Sequence, residues 1–468
     1  MRRTTIVKAE PFSLAVEASS FPTFTLGEFD ARVRALRNRM RADGIDHAVV
    51  YADREHFVNM FFLTGYDPRF EEALLIVNAD ENRNPTLVVG NEGYDYSFVS
   101  PLALNRALYQ NFSLQGQPRH RLVPLGTILR ETGVEAGAKV GVIGFKYFEP
   151  GHIEDCAHMI DIPAYILRHV EELTGLPAVN YTAVMTEGVA GLRMTLDAKQ
   201  IAVFEYAANQ SSNRLIRMLR SLRSGITEIG ISAAAGADGL PLSVHPNINV
   251  GGEHLSIGLR SPDYTVFERG MPVTLSAALR GSLVCRSGLG ALDESDYRSG
   301  YEGALESFIT PFFETVAAWI ESIRIGACAG DIFADIRARL AGANIASALN
   351  PGHSIAEDEW TNSVFFENSP HRLASGMYIQ SDIIGSRGQG APLTGIFEDG
   401  YVLADGKLRA ALAQGYPETW ERIQRRRAFM TGVVGMKLSP DVLPMSNTCG
   451  VYHPFMMDGS RIFALREE

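Results

Sequence analysis

Apolar residues along the chain switch between a helical and a strand-like period. From Phe24 to Gly44, Leu26, Phe29, Val33, Leu36 and Met40 recur at helical spacing with arginines between them. Gly44 closes the run. HAVVYA (His47–Ala52) reads as a buried strand, and EEALLIVN (Glu71–Asn78), PTLVVG (Pro85–Gly90) and KVGVIGF (Lys139–Phe145) repeat that texture. Strands alternating with helical stretches predict an α/β domain. Between the first two strands, Gly65–Tyr66–Asp67–Pro68 is a turn signal that presents Arg69 beside Phe70, Glu71 and Glu72. An arginine so placed suits a carboxylate clamp, and equally a surface ion pair with a neighbouring Glu.

Around Met185–Arg193 the pattern changes. A long helix follows, with Ile201, Phe204, Ala208, Leu215, Met218, Leu219 and Leu222 on one stripe. A domain boundary is therefore expected near residue 190, giving 1–190 and 191–468. Gly225–Glu228 (GITE) ends that helix and starts another. Short strands return in LSVHPNINVGG and MPVTLSAALRGSLVCRSG. Two helices come next, one over Tyr301–Ile323 with Pro311 as a kink or early-turn residue, one with Ile332, Phe333, Ile336 and Leu340 on a face. A tail helix runs through ERIQRRRAFM, where Arg425–Arg427 read as a solvated face.

Composition narrows the function. At 468 residues, two domains are the default. An apolar content of 46% with 21% charge fits a folded globular protein. The balance of 43 Lys+Arg against 54 Asp+Glu, a net charge of −11, disfavours nucleic acid and anionic membranes and favours small-molecule or peptide chemistry. Four scattered cysteines without a CxxC suit a reducing cytosol and support neither a zinc site nor a disulfide framework. The basic N-terminus lacks an apolar h-region, and no apolar run reaches the roughly 18–20 residues of a membrane span. A cytoplasmic protein is expected.

The chemistry concentrates between Leu349 and Asp405, in LNPGHSIAEDEW, SGMYIQSDIIG and GIFEDGYVLAD. His353, Asp382 and Glu398 take strand-like positions there among glycines. From residue types alone, satisfied polar pairs at turns explain them as well as a cleft does. The acids Glu357, Asp358 and Glu359 read either as a solvent-exposed acidic turn or as an edge that favours a cationic substrate.

In order and register, these motifs resemble the last part of the creatinase/aminopeptidase P/prolidase ("pita-bread") family, and LR…AKQIAVFEYAA resembles the start of its catalytic domain. The resemblance implies a creatinase-type N-terminal α/β domain before a pita-bread catalytic domain, in a homodimer. It also implies an arginine from the N-terminal domain that reaches the partner's site to bind a substrate carboxylate, a place that Arg69 fits. In metal-dependent members a His and two acids join two Asp residues of a β-hairpin around two divalent metals. Here that hairpin is VTLSAALRGSLVCRSG. Ser276 stands at the first ligand position, and the second arm reads Ser282, Leu283, Val284, Cys285, with Arg286–Ser287 in place of Arg-Thr. No acid occurs from Pro272 to Gly290, and neither Ser nor Leu replaces a carboxylate on a hard cation. No cofactor is therefore expected, or at most one divalent metal on His353, Asp382 and Glu398. The family's proton-shuttling histidine lies before the hairpin, where its usual position holds Leu259; His245 and His254 are the candidates nearby.

The expected function is creatinase-like hydrolysis of a C–N bond in a small nitrogen-rich, carboxylate-bearing metabolite. His353 or an upstream histidine would carry the proton, Glu398 and Asp382 would hold a cationic group and orient water, and Arg69, Glu359 and Arg286 would bind substrate. An Xaa-Pro peptidase, a lyase on the same scaffold and a non-catalytic binding protein remain the alternatives.

Overall fold

The computed structural model describes residues 2–9, 14, 16, 21–151, 153–252 and 258–467, beginning with strand β1 (Arg2–Lys8). The chain forms two compact units, one of Thr23–Arg193, the other of Met1–Pro22 together with Met194–Glu468.

The N-terminal unit opens with α1 (Leu26–Asp43), whose entry is fixed where the Thr25 N–H donates to Glu28 Oε2 at 2.6 Å. Gly44 leaves it at φ 68°, the left-handed exit that glycine tolerates. The buried stripe contains Phe29, Val33, Leu36 and Met40, as the spacing predicts. There follow β2 (His47–Ala52), α2 (Val58–Thr64), β3 (Ala73–Asn78), β4 (Thr86–Val89), α3 (Asn91–Tyr96) and β5 (Asn105–Leu108). The unit closes with α4 (Leu125–Glu131), β6 (Val140–Ile143), α5 (Ala164–Thr174), β7 (Val179–Asn180) and α6 (Ala183–Thr186). Among the described residues the sheet order is β5-β4-β3-β2-β6-β7. β3 runs antiparallel to both β2 and β4, and the other pairs are parallel. β2 is buried on both faces, which is why it reads as an unbroken apolar run.

In the C-terminal unit, α7 (Ala198–Ser221) begins where Asp197 accepts from the Gln200 N–H at 2.8 Å. α8 (Glu228–Ala234), β8 (Ile248–Val250), β9 (Pro272–Leu279) and β10 (Ser282–Leu289) follow, then α9 (Thr310–Ser322), α10 (Ala329–Gly342), β11 (Ile345–Ser347) and β12 (His353–Ser354). Last come β13 (Tyr378–Arg387), β14 (Thr394–Leu403), α11 (Gly406–Gly415), α12 (Pro417–Phe429), β15 (Val442–Pro444) and β16 (Arg461–Glu467). The main sheet is antiparallel in the order β11-β13-β14-β10-β9-β8, with β12 on β13 and β15 on β14. Leu215, Met218 and Leu219 of α7 share one core cluster with Val273, Leu275 and Ala277 of β9. No helix among the described residues is long and apolar enough to cross a membrane.

Several expectations change. The first 22 residues group with the C-terminal unit, because β1 pairs with β16 from Arg2↔Glu467 to Lys8↔Arg461. Of LSVHPNINVGG only Ile248–Val250 becomes strand, so His245 lies on an exposed loop before it. Of the two expectations for Pro311 the early-turn one holds: it sits in the first turn of α9, after a wide helical turn over Leu305–Ile309. The three tail arginines do not share one solvated face. Arg426 is buried with its Nη1 2.6 Å from Glu205 Oε1, and Arg427 donates to the Ser439 carbonyl at 3.1 Å.

Candidate active site

Four strands of the C-terminal sheet place four side chains in one row. Asp382 of β13 lies directly opposite Glu398 of β14, Glu398 opposite Cys285 of β10, and Cys285 opposite Ser276 of β9. Directly opposed residues have Cβ atoms about 4.5–5.5 Å apart, so each touches the next. His353 starts β12 and pairs with Gln380, two residues before Asp382 on the same face of β13. Gly352, at φ 147°, delivers it, and a Cβ there would come within 2.8 Å of the Gln380 carbonyl oxygen. Only glycine fits that approach.

His353 is wholly enclosed. Its Nδ1 lies 3.1 Å from the Ser354 carbonyl oxygen, to which a protonated Nδ1 donates. Nε2 lies 3.3 Å from Glu359 Oε1 without the alignment of a hydrogen bond. The Trp360 ring stacks on the imidazole at 4.2 Å between centroids and 18° between planes. Burial pulls the imidazole pKa down, but the Glu359 carboxylate and, after it, Asp382 outweigh burial and leave it raised.

The carboxyls answer in kind. Burial pushes Asp382 up to about 6, with His353 opposing and Glu359 adding to the rise. Burial, then Asp382 and Glu359, hold Glu398 well above the usual carboxylate range. Like charges crowded into a dry site cannot all ionise, so Asp382 and Glu398 favour a shared proton. Burial and then Glu398 also push the Cys285 thiol well up, which keeps it a thiol and not a nucleophilic thiolate.

The other expected residues differ in what they can offer a substrate. Arg286 is fully committed. Nε donates to the Val451 carbonyl at 2.9 Å, Nη1 to the carbonyls of Cys285 at 2.8 Å and Glu398 at 2.9 Å, and Nη2 to the Thr448 carbonyl at 2.7 Å and to Asp399. All five guanidinium donors are used, so none remains for a substrate, and Arg286 instead pins β10 to β14 beneath the row. Ser276 both donates to the Asn247 carbonyl and accepts from its N–H, each at 3.1 Å. His254 lies outside the described residues. Arg69 belongs to the N-terminal unit, on an exposed turn at φ 64°, its Nη1 3.7 Å from Asp67 Oδ2.

The ligand atoms of His353, Glu359 and Glu398 all lie within 4.8 Å of one another. One nitrogen and two carboxylate oxygens at that spacing suit a single divalent ion, and Glu359 takes the third place that had been expected of Asp382. Asp382 keeps an Oδ1 with no hydrogen-bond partner among the described residues, facing the same group. On the neighbouring hairpin Ser276 is tied to Asn247 and burial keeps Cys285 a thiol, so neither presents an anionic oxygen beside this group.

No family model matches the sequence, and no curated protein does. Solved structures do. The prolidase from Pyrococcus horikoshii OT3 aligns over 80% of this chain and 95% of its own at 14% identity, with a TM-score of 0.59. Dipeptidase PepE from Mycobacterium ulcerans aligns over 81% and 94% at 17% identity and 0.61, and aminopeptidase P from E. coli over 84% and 99% at 13% identity and 0.55. The chain has the pita-bread fold of these proteins. At such identities the likeness is one of fold, and the chemistry has to be argued from the side chains.

Sequence reading missed two members of the site. Glu359, expected as a substrate contact, is a neighbour of His353 Nε2. Trp360 carries no motif of its own, although its place six residues beyond Ser354, on a short connection closed by the bridge Ser354↔Asn362, folds the chain back over His353.

Proposed function

We propose that this protein is a hydrolase that cleaves a C–N bond in a small, nitrogen-rich, carboxylate-bearing substrate by proton transfer among His353, Glu359, Asp382 and Glu398. The observation that carries the reading is geometric: Asp382 and Glu398 stand directly opposite each other on neighbouring strands, and His353 is enclosed beside Glu359. Prolidases and dipeptidases share the fold, which supports hydrolysis as the reaction class. Attacking water gives its proton to His353, whose imidazolium is stabilised by Glu359 and Asp382. Glu398, whose carboxyl is held well above the usual carboxylate range, gives its proton to the leaving nitrogen as the C–N bond breaks. Return of the proton from His353 to Glu398 resets the site. The acidic run Glu357–Glu359 favours a cationic substrate group. Arg69, from a second copy of the chain, would clamp the substrate carboxylate, so the working species would be a homodimer.

A second reading is favoured by the 4.8 Å spacing of ligand atoms in His353, Glu359 and Glu398. These residues would hold one divalent ion, which would supply Lewis acidity toward a peptide carbonyl, as in an Xaa-Pro peptidase.

Metal content of protein purified without chelator, combined with amine release from guanidino-carboxylates and Xaa-Pro dipeptides, separates the readings. Turnover that survives chelation and is lost in Glu398→Gln supports proton transfer. Turnover that vanishes on chelation and returns with one equivalent of Mn, Co or Zn favours the second reading. Two tightly bound equivalents per chain would overturn the argument from Ser276 and Cys285. No turnover under either condition would leave a binding protein.

A further inference from the structure

Away from the proton-sharing group, the C-terminal unit has a cavity of about 390 Å³ between α7, α8 and the segment 235–248. That volume is within the range of small-ligand sites. Met218, Leu240, Val244 and Ile248 make its walls largely apolar. One lining residue does not belong on an apolar wall. The side chain of Arg214 is only 8% exposed, and its Nε has no hydrogen-bond partner among the described residues. A buried guanidinium with an unused donor is costly unless a carboxylate meets it.

Asp238 meets it in part. It pairs with Arg214 Nη2, yet its side chain is 35% exposed. It stands between Gly236 at φ 75° and Gly239 at φ 77°, and its Oδ1 accepts from the Leu240 N–H at 3.0 Å. Arg217, one turn along α7, donates from Nε to the Ala235 carbonyl at 2.8 Å. Among the described residues, Arg214 and Arg217 therefore meet this short segment with two guanidiniums against the one carboxylate of Asp238, on a protein whose net charge is −11. The local excess is positive where the whole is negative.

We propose that this cavity binds a small amphiphilic carboxylate, its apolar tail against Met218, Val244 and Ile248 and its carboxylate on Arg214 in place of Asp238. Asp238 is then an internal stand-in for the ligand. Its release needs only the rotation of a partly exposed side chain on a glycine-bounded turn, and the ligand restores the charge pairing that Arg214 loses. Ser276 lines the cavity as well and stands two strands from Glu398 in the row described above. The cavity thus meets the far end of that row at Ser276 and does not depend on what the site catalyses.

The test is calorimetric titration of the full-length protein with hexanoate, using hexanamide as the neutral control. Saturable one-to-one binding of hexanoate is expected, with none of hexanamide. Asp238→Asn removes the competing charge and should tighten hexanoate binding about tenfold. Arg214→Gln should abolish it. Asp238 is on an exposed turn, so its variant decides the matter even if Arg214→Gln does not fold. Equal hexanoate affinity in the wild type and Asp238→Asn, hexanamide binding as tightly as hexanoate, or no hexanoate binding by either protein overturns the proposal. So does wild-type affinity in a folded Arg214→Gln protein.

Discussion

Asp382→Asn should stabilise the C-terminal unit at alkaline pH and have little effect in acid. Burial moves the Asp382 carboxyl from 3.8 to about 6, so the folded protein holds this proton over about two pH units in which the unfolded chain has lost it. A carboxyl raised on folding contributes stability that is fully present below the unfolded value and is lost as pH rises through the folded one. Each pH unit of difference corresponds to about 1.4 kcal/mol, so ionising Asp382 in place costs the folded state roughly 3 kcal/mol by pH 8. Asparagine never ionises and escapes the loss. The chain's three tryptophans, Trp319, Trp360 and Trp420, all lie in Met194–Glu468, so urea denaturation followed by their emission reports that unit alone. Measured between pH 4.5 and 8 on chelator-treated protein, the difference in stability between Asp382→Asn and wild type should move toward the variant by about 2 kcal/mol, the rest of the effect falling below pH 4.5. Parallel curves for the two proteins would refute the assignment of Asp382 as a carboxyl kept protonated by its site.

Three further outcomes follow from the same geometry. Arg286→Met leaves Asp399 buried without its cation and should cost roughly 3–5 kcal/mol in the same denaturation assay; Asp399→Asn leaves Arg286 buried without its counter-ion, with only carbonyl partners, and should cost a similar amount. Gly352→Ala should destabilise by roughly 1–3 kcal/mol and disturb His353, since the new methyl group meets the Gln380 carbonyl at 2.8 Å and Trp319 at 3.0 Å; unchanged stability would show that the connection relaxes freely. Imidazolium quenches a stacked indole, so wild-type emission should rise with pH as His353 loses its proton, at a midpoint above the ordinary histidine range, and Trp360→Phe should abolish that rise.

What the sequence disclosed was governed by how local each interaction is. The stripes of α1 and α7 were legible because a helix buries one face at a fixed spacing, and the run HAVVYA because a strand covered on both faces has no polar alternation to hide it. That Asp382 and Glu398 belong beside the hairpin of Ser276 and Cys285 was implied by the family resemblance, whereas the absence of acids on that hairpin is visible in the text itself. Its occupants' roles were less so. Arg286 looks like a free cation beside a site until Asp399 and four carbonyls consume it. Arg426 looks like one of three solvated arginines until Glu205, more than two hundred residues earlier, meets it in the core. Neither partner can be read from spacing, because only the folded sheet and helix layer bring them together. The same limit hid the pairing of β1, whose RRTTIVK has too many polar residues to announce a strand.

That pairing has a consequence for how the protein is made. β1 leaves the ribosome some 450 residues ahead of β16, its hydrogen-bonding partner from Arg2↔Glu467 to Lys8↔Arg461. At translation rates of about 5–20 residues per second, the wait is roughly 20–90 s. Through that interval Thr23–Arg193 can complete its own sheet, while Arg2–Lys8 stays an unpaired edge open to β16 of a neighbouring chain. Crowded polysomes would then favour strand exchange between nascent copies, and slow, dilute expression would favour closure of each chain upon itself.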